Sequence, residues 1–330
     1  MSKIIDKLVK DFGKEIFRKG SDISKLNQIP SGIVSLDKLL NGGWPRKRVV
    51  ELYGPESSGK STLASMAIAE AQRAGLGALY VDLERTYDPA YAAILGVDSS
   101  KILAPTFVSG EKAIDGTEYI IKNWKEIADN TGMPDELGIV VIDSIAALLP
   151  EAEINSDIGD NHVGLVGCMM SRMSRKFTPI LDNYNVCMMY INQLRATIST
   201  APFAPKTCTT GGNAIKYYAT LRIDVRRIGQ IKCGDDRVGA NVRIMLNKDK
   251  LTGNELKSTT VEMYHGKGIS IISDIIALSL DNGLTKQAGA WYTYKEQRFQ
   301  GKDKFKEYLL NNPEVLQQLK EEVLSEIGNK

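Results

Sequence analysis

At 330 residues, 43% hydrophobic and 25% charged, the chain can hold one large α/β core with one or two appendages, in the composition of an ordinary globular protein. A net charge of +2 excludes a uniformly basic, polyanion-coating molecule, so any nucleic-acid surface must be a local stripe. Four dispersed cysteines (Cys168, Cys187, Cys208, Cys233), two histidines (His162, His265) and no apolar run near the ~20 residues of a membrane span argue against a disulfide framework, a His-based metal or triad site and a membrane segment, and for a reducing, cytoplasmic setting.

In chain order, Ile4, Ile5, Leu8, Val9 and Phe12 recur at helical spacing with lysines on the other faces, which predicts a short helical and polymerisation segment over residues 1–23. Such a helix is marginal unless docked, on its own core or on a neighbouring copy. A polar connector, Lys19 to Gln28, leads to the apolar run Val49–Tyr53. Then comes Gly54-Pro55-Glu56-Ser57-Ser58-Gly59-Lys60-Ser61, a complete G-x-x-x-x-G-K-[ST] loop, and a helical pattern from Ser61 to Ala74 that includes Thr62. Strand, loop and helix in that order imply a nucleoside triphosphate site. The glycines let backbone N–H groups close around phosphate at a helix N-terminus, Lys60 is the point charge, and Ser61 offers a hydroxyl to Mg²⁺.

Further strands are expected at Ala78–Leu83, Gly138–Ile142, Val186–Ile191 and Leu221–Val225, with helices over Glu111–Ala128 and Leu165–Asn183, so the sheet is largely parallel. Val238–Leu246 and Val261–Tyr264 read as additional strands. Three strand ends carry chemistry, and the strands of Asp143 and Glu84 are expected beside the phosphate-loop strand. Asp143 closes an apolar strand and suits Mg²⁺ held through water. Glu84 suits a base for the water attacking the γ-phosphate, with Asp82 as the alternative. Gln193, after Asn192, suits a sensor of the γ-phosphate or a simple loop cap.

Two segments, Glu153–Gly164 and Arg195–Asn213, are too long and too rich in Gly, Pro and hydroxyl residues for ordinary connectors. Their backbone donors suit phosphate contacts that position a strand without reading its sequence. Arg172, Arg175, Lys176 and Arg195 supply local positive charge. Val163, or a residue between Ile198 and Phe203, is placed to wedge between bases; Phe203 either stacks a base or packs under its loop. From Ile269 the composition turns helical and polar, which predicts a core over 24–268 and a small C-terminal lobe over 269–330.

Together these residues resemble the bacterial RecA recombinases. The phosphate loop matches with its internal Pro-Glu-Ser-Ser, as do Leu79–Pro89, Val140–Pro150, Ile158–Gly164, Ile191–Arg195, Thr209–Tyr218, Arg222–Gly229, Tyr264–Gly268 and Ala288–Tyr294. The likeness covers roughly residues 30 to 300. It implies an α/β fold with a RecA-type P-loop NTPase core, a short N-terminal helical segment and a small C-terminal α/β lobe. It also implies a DNA-dependent ATPase, with ATP and Mg²⁺, that forms a helical filament on single-stranded DNA and exchanges it with a homologous duplex. By position, Glu84 is similar to the water-activating carboxylate and Gln193 to the sensor. Asp88 and Tyr91 match the adenine contacts, Tyr264 a contact from the adjoining subunit, and Lys248 and Lys250 the lysines that reach a partner's γ-phosphate. Ile198, Ser199, Thr210, Gly211, Gly212 and Asn213 fall in the second DNA loop.

The family's filament also prompts self-cleavage of repressor proteins, and Arg243 falls where that groove is expected. Departures are Val163 for methionine, Cys168 for arginine, Tyr217 for phenylalanine, a second loop one residue longer, and no strongly acidic stretch at the end of the chain, which implies readier engagement of duplex DNA. A ring-forming helicase or repair ATPase on the same core, and a non-catalytic scaffold filament, are the alternative readings.

Overall fold

The computed structural model describes residues 26–157, 164–197 and 207–328, together with the isolated helical positions Ile4, Lys7, Lys10 and Asp11. A two-stranded entry, β1 (Gln28–Ile29) with β2 (Trp44–Pro45), brackets α1 (Val34–Leu40). The core then runs β3 (Val49–Gly54), α2 (Lys60–Arg73), β4 (Gly77–Asp82), α3 (Pro89–Ile94), β5 (Ile102–Leu103), α4 (Gly110–Lys122), α5 (Trp124–Thr131) and β6 (Leu137–Asp143). It continues through α6 (Glu151–Ile154), α7 (Leu165–Tyr184), β7 (Cys187–Ala196), β8 (Thr207–Thr209) and α8 (Ala214–Tyr218) to β9 (Leu221–Cys233), β10 (Asp236–Asp249), β11 (Ser258–Tyr264) and β12 (Gly268–Ile269).

These strands form a 10-stranded sheet in the order β12-β11-β10-β9-β3-β7-β6-β4-β5, with β8 added to β7. Along the order from β9 to β5 the strands pair parallel, with β8 joining β7 antiparallel, and β10, β11 and β12 extend the other edge antiparallel. Strands β3 and β6 are buried throughout their length, as a parallel sheet covered on both faces requires. Their residues divide between two apolar clusters, one under α2 with its run of buried alanines and one under α4, α5 and α7.

Strand order corrects one expectation. Strand β7, which carries Gln193, lies directly beside β3, with Gly54 opposite Gln193; β6 follows and β4 comes after that. The carboxylates therefore sit on the second and third strands out. Chain order gives no warning of this, because each crossover helix can return its strand at a distance from the last.

The helix expected over Glu111–Ala128 is two helices, α4 and α5, broken at Asn123. The break turns Trp124 inward, where its Nε1 donates to Pro134 O at 2.9 Å and its ring fills the space above Gly77. A Cβ on Gly77 would stand 2.2 Å from Trp124 Cζ2. Hairpin β9–β10 is also longer than predicted, its exposed alternation running on to Cys233 and back from Asp236.

The C-terminal lobe consists of α9 (Ile271–Asp281), the antiparallel strands β13 (Thr285–Ala288), β14 (Trp291–Tyr294) and β15 (Gln297–Gln300), then α10 (Lys302–Asn311) and α11 (Pro313–Gly328). Tyr292, Tyr294, Phe305, Leu309, Leu319 and Val323 build its apolar centre, which Val34 of α1 joins from the core. Asp274 of α9 accepts the backbone N–H of Ser35 at 3.1 Å, so the lobe caps the start of α1. Ile269, assigned to the lobe by composition, instead pairs with Met263 as the last residue of the core sheet.

Candidate nucleotide and DNA site

The phosphate loop leaves β3 at Gly54 and enters α2 at Lys60. Its end glycines answer two separate demands. A Cβ on Gly54 would lie 2.1 Å from Val225 O on the neighbouring strand, and Gly59 takes φ +102° to turn the chain into α2. Lys60 is buried, with Nζ donating to Gly54 O at 3.2 Å and Pro55 O at 2.7 Å. Burial pulls its pKa down, against the opposing pull of Asp143, Glu84 and Glu56.

Ser61 Oγ donates to Asp143 Oδ2 at 2.8 Å, and Tyr80 Oη donates to the same oxygen at 2.8 Å. Burial raises the Asp143 carboxyl above its ordinary range, while these two hydrogen bonds resist the shift. A hydroxyl and a carboxylate oxygen this close form a hard oxygen pair. That donor set fits Mg²⁺, which takes one or two protein oxygens and completes its shell with phosphate and water. Among the described residues, no cluster of three or more His, Cys, Asp or Glu is arranged to hold a metal.

Strand β4 stops at Asp82, so Glu84 stands on the bend beyond it rather than at the strand terminus. The backbone N–H of Leu83 donates to Asp143 O at 2.8 Å and fixes the start of that bend against β6. Glu84 Oε1 then accepts from Ser144 Oγ and, at 2.8 Å, from Gln193 Nε2. The predicted base and the predicted sensor are thus in direct contact. Asp82, the alternative base, is occupied otherwise: its Oδ2 accepts the Tyr87 N–H at 2.9 Å and holds the turn.

Ser57 to Thr62, Tyr91, Arg227, Met263, Tyr264, His265 and Gly266 line a cavity of ≈ 240 Å³ over the loop. Tyr91 Oη lies 3.2 Å from Thr62 Oγ1, while the Asp88 carboxylate caps α3 by accepting from Ala90 and Tyr91 N–H. Tyr264 lines this cavity over the phosphate loop of its own chain. Glu56 is exposed at the rim.

Lys248, near the end of β10, and Lys250, just beyond it, lie beside α8, and both donate to Tyr217 O, at 3.0 and 3.1 Å; Lys248 also donates to Lys216 O. They are not a freely solvated turn. Burial, then the neighbouring Lys250, lowers the pKa of Lys248 to about 8. Tyr217 itself is 71% exposed.

The DNA residues fall into three groups. Val163, Ile198, Ser199 and Phe203 lie outside the described residues, as does most of segment 1–23. Arg172 and Arg175 are exposed on α7, and Arg195 is exposed near the end of β7. Lys176 is a correction: Asp115 (2.7 Å) and Glu118 pair with it, so its charge is spent locally. Thr210, Gly211, Gly212 and Asn213 form the turn into α8, with Gly211 at φ +90° and Gly212 at φ +73°.

The segments are also shorter than read. Glu153 and Ile154 belong to α6, and the second segment is closed at its base by Leu194–Thr209, Arg195–Cys208 and Ala196–Thr207 pairing. Buried Asn192 anchors this base, donating through Nδ2 to Thr210 O at 2.9 Å and to Glu51 Oε1 at 2.8 Å. Arg222 Nε meets Glu51 Oε2 at 2.5 Å and stacks over Tyr53. Glu51, Arg222, Tyr80 and Ser144 were missed. Glu51 had a signal, as a lone carboxylate inside the apolar run Val49–Tyr53 must find a partner when buried.

Family models of the RecA N-terminal domain and the RecA C-terminal domain match residues 1–270 and 273–328. Protein RecA of Nocardioides sp. is 43% identical over 323 residues, 97% of this chain and 89% of that protein. The Mycolicibacterium smegmatis protein of the same name is 41% identical over 323 residues, with coverage of 97% and 89%. For that of Lactobacillus johnsonii the identity is 39% over 328 residues, covering 98% and 88%. Likeness of that depth along nearly the whole chain, on a phosphate loop whose Ser61 is bonded to the strand-end carboxylate Asp143, leaves one assignment: this chain belongs to the RecA family and is a nucleotide-binding, DNA-dependent ATPase of recombination and repair.

Proposed function

We propose that ATP, bound at the seam between successive copies of this chain, sets how the segments around 153–164 and 195–213 grip single-stranded DNA for pairing with a homologous duplex. The observation that carries the reading is the path from Glu84 through Gln193 to the base of the second segment, where Asn192 holds Thr210 O. Lys60 and the loop N–H groups take the β- and γ-phosphates, and Tyr91 and Tyr264 flank the base. Ser61 and Asp143 hold Mg²⁺, which when bound supplies charge neutralisation at the phosphates. Glu84 orients the attacking water and removes its proton.

Lys248 and Lys250 complete the site of the next copy. A cation supplied across the seam neutralises charge developing on the transferred phosphoryl group, so hydrolysis waits on assembly. Exposed Tyr217 beside them supports that face as the contact. A head-to-tail interface whose rotation does not close gives an open helical filament. Residues 1–23 serve as the polymerisation segment, 24–269 as the ATPase core and 270–330 as the C-terminal lobe. Arg172, Arg175 and Arg195, with Val163, Ile198, Ser199, Phe203, Thr210, Gly211, Gly212 and Asn213, line the DNA path. The filament acts in the cytoplasm and stimulates self-cleaving repressors; among the described residues no helix is long and apolar enough to cross a membrane.

Phosphate release titrated with single-stranded and duplex DNA at two salt concentrations tests the proposal. Single strands are expected to stimulate strongly, with an affinity that falls with salt at a slope of about −0.7 per phosphate neutralised. Equal rates with and without DNA would sink it.

The role of Lys248 also predicts a pH dependence. Its depressed pKa of about 8 means that the isolated protomer loses this cation as pH rises through that value. An interface that needs the charge then takes up a proton on assembly. The critical concentration for ATP-dependent assembly should rise above pH 8, by up to about tenfold per pH unit for the one lysine. Lys248→Arg should flatten the rise, because arginine stays charged; light scattering from pH 7 to 9.5 reads both.

A further inference from the structure

Strand β11 alternates buried Val261 and Met263 with half-buried Glu262 and Tyr264, so the latter two share a face. That face meets α10 of the C-terminal lobe, where Lys302 and Lys306, one turn apart, lie over it. Lys302 Nζ donates to Glu262 Oε1 at 2.6 Å, and Lys306 Nζ donates to Glu262 Oε2 at 2.6 Å. The same Oε2 accepts from Ser273 Oγ at 2.7 Å and from Tyr264 Oη at 2.9 Å. Lys306 Nζ also donates to Tyr264 Oη at 2.8 Å and sits 5.1 Å from the centre of its ring. The phenol therefore gives one hydrogen bond and receives one, and its ring faces a cation.

We propose that Lys306 and Glu262 are positioning residues for the nucleotide: they clamp the Tyr264 ring against the cavity over the phosphate loop, making the C-terminal lobe part of the ATP site. This rests on the reading of Tyr264 as a nucleotide contact. The clamp is a closed set. Burial opposes ionisation of Glu262, but the hydrogen bonds from Lys302, Lys306 and Ser273 outweigh it and hold its pKa down at about 2. The carboxylate is thus charged at every pH at which the enzyme works. An aromatic ring pinned at two points loses little freedom when a base meets it, which is how a remote contact contributes affinity. On the reading that Tyr264 meets the base and not the phosphates, ATP and ADP are expected to feel the clamp equally.

The test is Lys306→Met in the full chain, with a fluorescent ribose-labelled ATP and ADP for binding and phosphate release on saturating single-stranded DNA for turnover. Dissociation constants for both nucleotides, and KM for ATP, should rise about 3- to 10-fold together, with kcat within about twofold. Lys306→Arg should recover most of the loss. In a Tyr264→Phe background, Lys306→Met should add less than about twofold, since the oxygen it holds is gone. A general loosening of the lobe would add its full effect there, and that result would overturn the proposal, as would unchanged binding in Lys306→Met. Tyr264→Ala tests the underlying reading separately: should it leave both dissociation constants unaltered, Tyr264 is not a nucleotide contact and the clamp has no object.

Discussion

Lys60→Ala is expected to lower DNA-stimulated ATP hydrolysis by about 100- to 1000-fold and to abolish triphosphate-dependent strand exchange. The magnitude is that of removing one preorganised charge or donor from a water-poor site. Lys60 is the first residue of α2 and is buried, and its ammonium already lies against the Gly54 and Pro55 carbonyls. It is desolvated before a phosphate arrives, so little reorganisation is required when charge builds on the γ-phosphoryl oxygens. Alanine keeps the helix and removes the cation. On the proposal that the triphosphate sets filament geometry, both hydrolysis and exchange should fail, which phosphate release and a joint-molecule gel assay measure together. Exchange at the unmodified rate would refute the mechanism.

Glu84→Gln should separate chemistry from assembly. A general base contributes roughly 100- to 10,000-fold, so kcat is expected to fall by that factor. Glutamine retains an oxygen that accepts from Gln193 Nε2 and Ser144 Oγ, so the contact joining nucleotide site and DNA segment survives. ATP-dependent binding to single-stranded DNA should therefore persist and outlast that of the unmodified protein, because the step that releases it is blocked. Filter binding after ATP chase reads the lifetime. Asp82→Asn is the control: it weakens the acceptor for the Tyr87 N–H and should leave hydrolysis largely intact. The reverse ranking of the two variants would move the base to Asp82.

The contact between Glu84 and Gln193 also suggests how DNA reaches the nucleotide. Gln193 is adjacent in sequence to Asn192, and Asn192 is bonded both to Glu51 and to the carbonyl of Thr210. With DNA on the proposed path, a shift of the turn Thr210–Asn213 would pull on that anchor. Buried Glu51 and half-buried Arg222, paired with each other, form the fixed end of the lever. Removing either partner would leave the other charge without compensation in the core, which is costly and transmits strain to the Asn192 anchor.

The phosphate loop, the strand-end position of Asp143 and the alternation of strands and helices were legible in the chain because each depends on local rules. Glycine spacing, an acid closing an apolar run, and apolar periodicity are set within about ten residues. The break at Asn123 was not legible, since the space that receives the Trp124 ring lies above Gly77, distant in sequence. Lys176 read as free charge for the same reason: Asp115 and Glu118 reach it from another helix.

Local order thus pointed to the candidate groups: the loop Gly54–Ser61, the carboxylates Asp82 and Glu84, and the amide of Gln193. Which of these touch was set by strand order, since β7 entered beside β3 and brought Gln193 within 2.8 Å of Glu84, two strands away. Side chains far apart along the chain acquire partners only when crossover connections choose which strands become neighbours. The same principle joins Lys306 to Tyr264 across 42 residues, where folding alone puts a lysine of the lobe on a tyrosine of the core.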